Sequence, residues 1–190
     1  MQRLIDILAS SLGLILLAPV FIVIAVWIKL TSPGSVLYRA TRTGRNGVPF
    51  ALYKFRSMRT DADRIGSGIT SAGDTRITPV GRFLRRSKLD ELPQLINVLK
   101  GQMSLVGPRP EDPRFVEHYP EHLRDILKYR PGMTSPASIA FRNENSLLTG
   151  DNHEKLYIEQ ILPEKLRIDL AYCQSATVRS NMMVVLKTLL

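Results

Sequence analysis

The sequence has very little cysteine: Cys173 is the single one among 190 residues. One cysteine excludes an intramolecular disulfide and a cysteine cluster around a metal, as expected in a reducing compartment. Acidic residues are also scarce, since 17 Asp and Glu oppose 26 Lys and Arg and leave a formal net charge of +9. This balance predicts an acidic partner: nucleic acid, an anionic membrane surface or a phosphorylated small molecule.

Charge is absent from residues 7–28, the 22-residue run ILASSLGLILLAPVFIVIAVWI. As a helix this run would be about 33 Å long, which is enough to cross a bilayer. Lys29 and further cations follow it, so the positive-inside rule predicts a cytoplasmic body. Pro19 predicts a bend near residues 15–18. A kinked span and a hairpin that returns to the same face both remain open, and the residues alone favour the span.

The remaining residues predict an α+β domain of a short β-hairpin and several short amphipathic helices. Residues 35–44 and 49–57 alternate apolar and polar around Asn46-Gly47, which is typical of a hairpin. Residues 60–77 lack periodicity and predict a loop that could act as a lid. Thr78 is expected to begin a helix with Val80, Phe83 and Leu84 on its inner face. Later helices are predicted at 120–129, 151–162 and 163–174, and the helix at 151–162 is expected to end near Pro163.

Asp90 and Glu91 stand in the stretch SKLDELPQL, where Pro93 restricts how a helix can start. With Asp90 as the N-cap, Pro93 falls in the first turn, where no N–H is missed, and Gly101 supplies the C-terminal stop. A carboxylate there could be a nucleophile or a Mg²⁺ ligand. An ordinary N-cap followed by a second acid is the commoner explanation for such a pair.

Several cations are placed beside proline or glycine in short loops. Arg109 lies between Pro108 and Pro110, and Arg130 precedes Pro131-Gly132, so both are restrained for binding a phosphate. Further cations that could assist are Lys54, Arg56 and Arg142. Rigid cations around an acidic pair suit a diphosphate neutralised by Mg²⁺.

The chain resembles the bacterial sugar transferase family, the monotopic phosphoglycosyl transferases, over nearly its whole length. The resemblance rests on the apolar N-terminal segment with a central proline and on three motifs. These are YKFRSM at 53–58, LDELPQLINVLKGQMSLVGPRP at 89–110 and YRPGMT at 129–134.

This resemblance implies transfer of sugar 1-phosphate from a UDP-sugar to polyprenol phosphate, with Mg²⁺, at the cytoplasmic face of the bacterial inner membrane. Asp90 would form a covalent phosphosugar intermediate, and Glu91 would help to hold the metal or handle a proton. The family's functional cations match Lys54, Arg85, Arg109 and Arg142. The family also implies a re-entrant helix, so residues 1–30 are expected to enter one leaflet and residues 31–190 to form a single catalytic domain.

Two departures from the family pattern stand out. Ala18-Pro19 replaces the Ser-Pro pair at which the family's helix breaks, so the bend rests on the proline. Ser135-Pro136-Ala137 replaces Gly-Trp-Ala, which leaves the sugar open. The alternative function is a membrane-anchored basic protein that binds anionic lipid or nucleic acid. Nucleic acid is disfavoured because the basic stretches lack interleaved aromatic residues. The oligomeric state is undetermined.

Overall fold

The N-terminal apolar run forms two helices, α1 (Gln2–Leu16) and α2 (Ala18–Thr31). The computed structural model describes residues 1–62, 74–144 and 153–189. Leu17 leaves the helical conformation just before Pro19, and the two helices are bent by 59°. The predicted bend is therefore confirmed. Within the described residues no single helix is long and apolar enough to cross a bilayer, whereas α1 and α2 taken together meet that test of length and composition.

Helix α1 begins on the surface of the body and is fixed there by polar contacts. The buried Asp6 carboxylate accepts hydrogen bonds from the Ser104 hydroxyl, at 2.7 Å, and from the Leu105 N–H, at 3.2 Å. The Arg3 guanidinium donates to the carbonyls of Val98 and Leu99, at 2.5 and 2.8 Å. A buried charge without a hydrogen-bond partner would be costly, so these bonds fix the first turns of α1 on the body.

Helix α2 ends against the same body, but by apolar packing. Ile24 and Ile28 in its last two turns are buried against Phe55, Val80 and Leu84. The two outer ends of the bent pair therefore both contact the body.

The predicted hairpin is confirmed. Strands β1 (Leu37–Thr43) and β2 (Pro49–Phe55) are antiparallel, with Arg39 opposite Tyr53. A 3₁₀ turn at Arg45–Gly47 joins them, and both Asn46 and Gly47 have positive φ, as a tight hairpin turn favours. The strands present Lys54 at the end of β2 to the helices that follow.

Helix α3 (Pro79–Arg86) begins at Thr78 as predicted, and the Thr78 hydroxyl accepts the Gly81 N–H at 2.9 Å. Val80 and Leu84 are buried. The inward assignment of Phe83 was wrong, because this side chain is 50 % exposed and stacks on Trp27 of α2 with ring centroids 5.4 Å apart. Contact with α2 thus replaces contact with the core.

The helix after the acidic pair starts later than predicted. A 3₁₀ turn spans Leu89–Glu91, and α4 runs from Gln94 to Leu99 with Pro93 as its N-cap. The expectation that Asp90 is the N-cap was wrong, because i→i+3 bonds from Glu91 to Lys88 and from Leu92 to Leu89 use the first turn. Gly101, at φ 78°, follows the end of α4 as expected.

Two short parallel strands, β3 (Ser104–Val106) and β4 (Gly132–Thr134), bring the two arginine-proline loops side by side. The loop after β3 and the loop before β4 exchange backbone bonds from Gly107 N–H to Thr134 O, at 3.0 Å, and from Gly132 N–H to Pro108 O, at 2.9 Å. Between them lie α5 (Pro113–Val116) and a 3₁₀ helix (Glu121–Lys128) where an amphipathic helix was predicted, and α6 (Pro136–Ala140) follows β4.

The C-terminal part consists of α7 (His153–Leu156), a π-turn (Tyr157–Ile161), α8 (Leu162–Ser175) and α9 (Val178–Leu189). The predicted helix end near Pro163 was wrong, because the π-turn alters the bonding pattern just before this proline and the helix continues. Buried residues of the π-turn and α8 pack on Phe115 and the 3₁₀ helix. The predicted cap at Asp151 and most of the predicted loop at 60–77, residues 63–73, lie outside the described residues.

Candidate active site

Asp90 and Glu91 lie in the 3₁₀ turn between α3 and α4, directly against the end of β2. Lys54 Nζ and Arg109 Nη2 both bind Glu91 Oε1, at 2.9 and 2.8 Å. The two cations come from a strand and a loop that are 55 residues apart in the chain. The structure therefore brings Lys54 and Arg109, which the sequence predicted separately, to the predicted acidic pair.

Glu91 is held ionised by its two partners. Burial alone would raise the pKa of its carboxyl, but the charges and hydrogen bonds of Arg109 and Lys54 outweigh burial and hold that pKa well below its usual value. Charge-assisted bonds of this kind are short and directional. Glu91 is thus a fixed anion that sets the positions of two cations.

Asp90 has the opposite environment. It is 5 % exposed, and burial raises the pKa of its carboxyl, with the Glu91 charge acting in the same direction and Lys54 and Arg85 opposing it. Among the residues that the structure describes, no donor makes a hydrogen bond to the Asp90 carboxylate. A buried carboxylate without a bonded donor is costly, so it is a candidate for bond formation or metal binding.

Arg85 stands on the last turn of α3, and its Nε donates to the Ser57 hydroxyl at 2.8 Å. Burial lowers the pKa of Arg85, whereas the charges of Asp90 and Asp74 raise it. Helix α3 approaches the chain after β2 so closely because residue 81 is glycine: a Cβ there would lie 1.8 Å from Ser57 O. This contact places the third cation beside the acidic pair.

Arg109 is positioned by its backbone. Gly107 begins its loop, and a Cβ at Gly107 would lie 2.4 Å from Arg130 O, so only glycine permits the two loops to touch. Pro108 and Pro110 fix φ on both sides of Arg109. The side chain therefore leaves a rigid backbone and reaches Glu91.

Three predicted cations lie elsewhere in the structure. The buried Arg56 donates from Nη2 to the carbonyl and the hydroxyl of Ser32, at 2.9 and 2.8 Å. Arg142 Nη2 donates to Lys187 O at 3.0 Å and to Thr188 O at 3.4 Å, where it satisfies carbonyls at the end of α9. Arg130 contributes its carbonyl to the contact with Gly107, and within the described part of the chain its side chain makes no hydrogen bond to Asp90 or Glu91. A phosphate-binding role for any of the three residues stays a prediction.

Magnesium was also predicted, and two carboxylates are the donors at hand. No group of three or more His, Cys, Asp or Glu suited to a metal is found among the described residues. Mg²⁺ commonly takes one or two carboxylates and fills its other positions with water and substrate phosphates. The unbonded Asp90 carboxylate and the second oxygen of Glu91 fit that pattern, so these residues could hold the ion beside a bound diphosphate.

Two positioning residues were missed from the sequence. The buried Asn97 of α4 accepts the Tyr53 N–H at 3.0 Å and donates to Ala51 O at 2.7 Å, which ties the helix after Glu91 to the strand that bears Lys54. Ser57 holds Arg85. A polar residue within an apolar helical face was the one available signal for Asn97, and a lone serine gives none.

The fold and site define a class: a small α+β body with an apolar bent helix pair and a carboxylate pair surrounded by cations. A profile of the bacterial sugar transferase family matches residues 1–190, so the chain belongs to that family. The resemblance inferred from the sequence is confirmed.

Curated relatives carry names that agree with this family. UDP-glucose:undecaprenyl-phosphate glucose-1-phosphate transferases of Caulobacter vibrioides and Escherichia coli are 36% and 39% identical over 98% and 99% of the chain. A UDP-N-acetylgalactosamine-undecaprenyl-phosphate N-acetylgalactosaminephosphotransferase of Aeromonas hydrophila is 41% identical over 73% of the chain. These matches cover 67%, 39% and 33% of the respective relatives, so the chain spans well under half the length of two of them.

Proposed function

We propose that this protein transfers sugar 1-phosphate from a UDP-sugar to polyprenol phosphate, giving polyprenol-diphospho-sugar and UMP. The observation that supports it most is the buried carboxylate of Asp90, which has no bonded donor among the described residues and lies near Lys54, Arg85 and the Glu91 that binds Arg109. The names of the relatives supply the substrate class, and their sugars, glucose and N-acetylgalactosamine, are the first candidates. The reaction would be the first membrane step of glycoconjugate synthesis, such as that of an exopolysaccharide.

In the proposed first step, an Asp90 oxygen attacks the phosphorus that bears the sugar. An O–P bond forms to Asp90, the diphosphate bridge breaks, and UMP leaves with the bridging oxygen. In the second step a phosphate oxygen of polyprenol phosphate attacks the same phosphorus and releases the Asp90 carboxylate. The raised pKa of Asp90 reflects poor solvation, which favours its use as a nucleophile once ionised.

In this proposal, the cations stabilise the negative charge on the phosphate oxygens during the reaction. Lys54 and Arg109 are oriented by Glu91, and Arg85 by Ser57, so little reorganisation is needed when a diphosphate binds. Mg²⁺, held by Asp90 and Glu91 when bound, would neutralise further phosphate charge. Glu91 itself stays ionised throughout because its two partners depress its pKa.

We further propose that α1 and α2 form a re-entrant pair in the cytoplasmic leaflet of the bacterial inner membrane. The start of α1 and the end of α2 both pack on the body, which favours one face for both ends. Apolar side chains on the arms are exposed and suit a lipid environment; they include Leu8, Leu12, Ile15, Leu16, Ile22 and Val23. The body would then lie on the cytoplasmic side.

The covalent step provides the sharpest test. Purified protein with Mg²⁺ is incubated with UDP-glucose or UDP-N-acetylgalactosamine, without polyprenol phosphate, and weighed by intact mass spectrometry. We expect an added mass of one sugar phosphate and release of UMP from the unaltered protein, and neither from Asp90→Asn.

Two outcomes would count against the proposal. An adduct that persists in Asp90→Asn would assign the nucleophile to another residue. Absence of an adduct, together with absence of acceptor-dependent UMP release across a broad UDP-sugar panel, would remove the transferase assignment.

A further inference from the structure

The loop that bears Arg109 has a second set of contacts besides Glu91. The π-turn and α8 pack behind it, around a cavity lined by Arg109, Glu111, Tyr119, Lys165 and Asp169. Of these residues, only Arg109 was predicted from the sequence as a site residue. Buried polar groups are found in proteins mainly where they are hydrogen-bonded, so the partners of these groups show what holds the loop.

Tyr157 makes the first contact from the π-turn. Its hydroxyl donates to Glu111 Oε2 at 2.6 Å, and its ring stacks edge-on against Phe115 at 5.3 Å between centroids. Burial and the Glu111 charge raise the pKa of Tyr157 above its usual value, so the hydroxyl remains a donor. The Glu111 carbonyl also accepts the Thr43 N–H at 2.9 Å, so the end of the loop is tied to both the π-turn and β1.

Asp169, on α8, lines the same cavity and bonds α6, which follows the strand paired with β3. It is 4 % exposed, and its Oδ1 accepts the Ala137 N–H at 2.9 Å. Burial raises the pKa of Asp169 to about 6, and the hydrogen bond from the Ala137 N–H is the largest effect that opposes burial. Asp169 also lines the cavity behind the loop together with Pro108, Arg109 and Pro110.

Backbone chemistry makes these contacts important for the loop. Pro108 and Pro110 have no N–H, so Arg109 supplies the one backbone donor between them. No hydrogen bond from Glu91 reaches the loop backbone in the described residues; Glu91 binds only the far end of the Arg109 side chain. Backbone bonds to Gly132 and Thr134 hold the start of the loop, so the groups behind it are the further restraint on its later residues and on the reach of the guanidinium.

We propose that Tyr157 and Asp169 are positioning residues that hold the Arg109 loop, residues 107–111, so that Arg109 meets Glu91 and the substrate phosphates. They act through the loop and touch no substrate. The effect on catalysis rests on the proposed transferase function, whereas the effect on loop order does not. The two can therefore be tested separately.

Hydrogen exchange measures loop order directly. A peptide covering residues 107–110 reports the Arg109 amide, because two prolines lack an amide hydrogen and the first amide of a peptide is not retained. The variants are Tyr157→Phe, Asp169→Ala and Asp169→Asn. We expect the Arg109 amide, which reports opening of the loop, to exchange about 2–5-fold faster in both Asp169→Ala and Tyr157→Phe. Asp169→Ala removes the hydrogen bond to Ala137, and Tyr157→Phe removes the hydrogen bond to Glu111.

Tyr172→Phe is the matched control, since Tyr172 lies on α8 and bonds Asn181 at 2.7 Å rather than the loop. Its Arg109 amide should exchange as in the unaltered protein. Asp169→Asn keeps an acceptor oxygen and should lie closer to the unaltered protein than Asp169→Ala. Should Asp169→Ala fail to fold, Tyr157→Phe, which removes a single hydroxyl, decides the matter.

Turnover is the second measurement. We expect kcat to fall about 10–100-fold in Asp169→Ala and severalfold in Tyr157→Phe, with KM changed less than kcat and Tyr172→Phe unaffected. Unchanged Arg109 exchange in Tyr157→Phe would overturn the positioning proposal whatever the activity. Faster exchange with unchanged kcat would overturn its catalytic part. A protein that forms no adduct at all removes the transferase function but leaves the exchange result to decide the loop.

Discussion

Two adjacent carboxylates in this protein have opposite electrostatic environments. Glu91 gains two charged donors and its pKa is lowered, whereas Asp90 is buried without a bonded donor and its pKa is raised. Environments that separate the pKa values of neighbouring acids are typical of sites where each acid has a different role. Glu91 organises cations, whereas the Asp90 carboxylate has no bonded donor among the described residues, as the proposed nucleophilic role requires.

The two roles predict opposite changes in protein stability when Asp90 and Glu91 are replaced by their amides. The ionised Asp90 opposes folding above its ordinary pKa, so Asp90→Asn removes a cost, and we expect its melting temperature to rise by about 2–4 °C, the equivalent of about 1 kcal/mol at this size. Glu91 contributes stability above its unfolded pKa that is lost as pH falls through its lowered folded pKa. Glu91→Gln leaves Lys54 and Arg109 without their anion and should cost about 1–3 kcal/mol.

Thermal unfolding at pH 7 in EDTA measures both variants without interference from bound metal. Both should lack transferase activity. If Asp90→Asn is the less stable of the two, the assignment of Glu91 as the organising anion is wrong.

Individual site residues were predictable to different degrees. Arg109 was recognisable because two prolines frame it, and Asp90-Glu91 because Pro93 restricts the chain beside it. Their meeting with Lys54 was not predictable from the residues alone, since it depends on the packing of β2 against α4. Asn97 and Ser57 act only through that packing, and Arg142 reads from the sequence as one more cation although it bonds α9.

At the scale of elements, the junction of α3 with the chain after β2 determines where Arg85 lies. Gly81 is the residue that permits this junction, because its α-carbon faces the Ser57 backbone without a side chain. Gly81→Ala would place a methyl group where Ser57 O now lies. We expect a loss of about 2–3 kcal/mol of unfolding free energy, with a fall in activity because Arg85 moves away from Asp90.

Chemical denaturation and the adduct assay measure these effects. Ser87→Ala is the matched control, since its hydroxyl bonds the Phe83 carbonyl at 2.9 Å at the exposed end of the same helix. Gly81→Ala with unaltered stability would show that α3 can retreat without cost and that the close contact does not position Arg85.

Elements with local signals were predicted well, and those set by tertiary contacts were not. The hairpin follows from Asn46-Gly47, and the start of α3 from Thr78-Pro79. The 3₁₀ turn at Leu89–Glu91 and the π-turn at Tyr157–Ile161 depart from the sequence prediction, because each aims a side chain at a distant partner. For Tyr157 that partner is Glu111. The helix end predicted near Pro163 gave no indication of this contact.

At the scale of the whole molecule, the bent pair has two arms that begin and end on one body. Helices of 15 and 14 residues are about 22 and 21 Å long, so each arm is shorter than a hydrocarbon core of about 30 Å. Asp6 and Arg3 anchor the first arm by polar bonds that a lipid environment would not replace. The formal net charge of +9 would add attraction to an anionic leaflet.

Cysteine labelling tests this arrangement. In a Cys173→Ser background, Gln2→Cys reports the start of α1, and Glu121→Cys, whose native side chain is 93% exposed, reports the body. A membrane-impermeant maleimide should label neither position in intact spheroplasts and both after permeabilisation, because both ends of the bent pair lie on the side of the body. Labelling of Gln2→Cys in intact spheroplasts, with Glu121→Cys still protected, would mean that the pair crosses the membrane and that the contacts of Arg3 and Asp6 with the body do not form there.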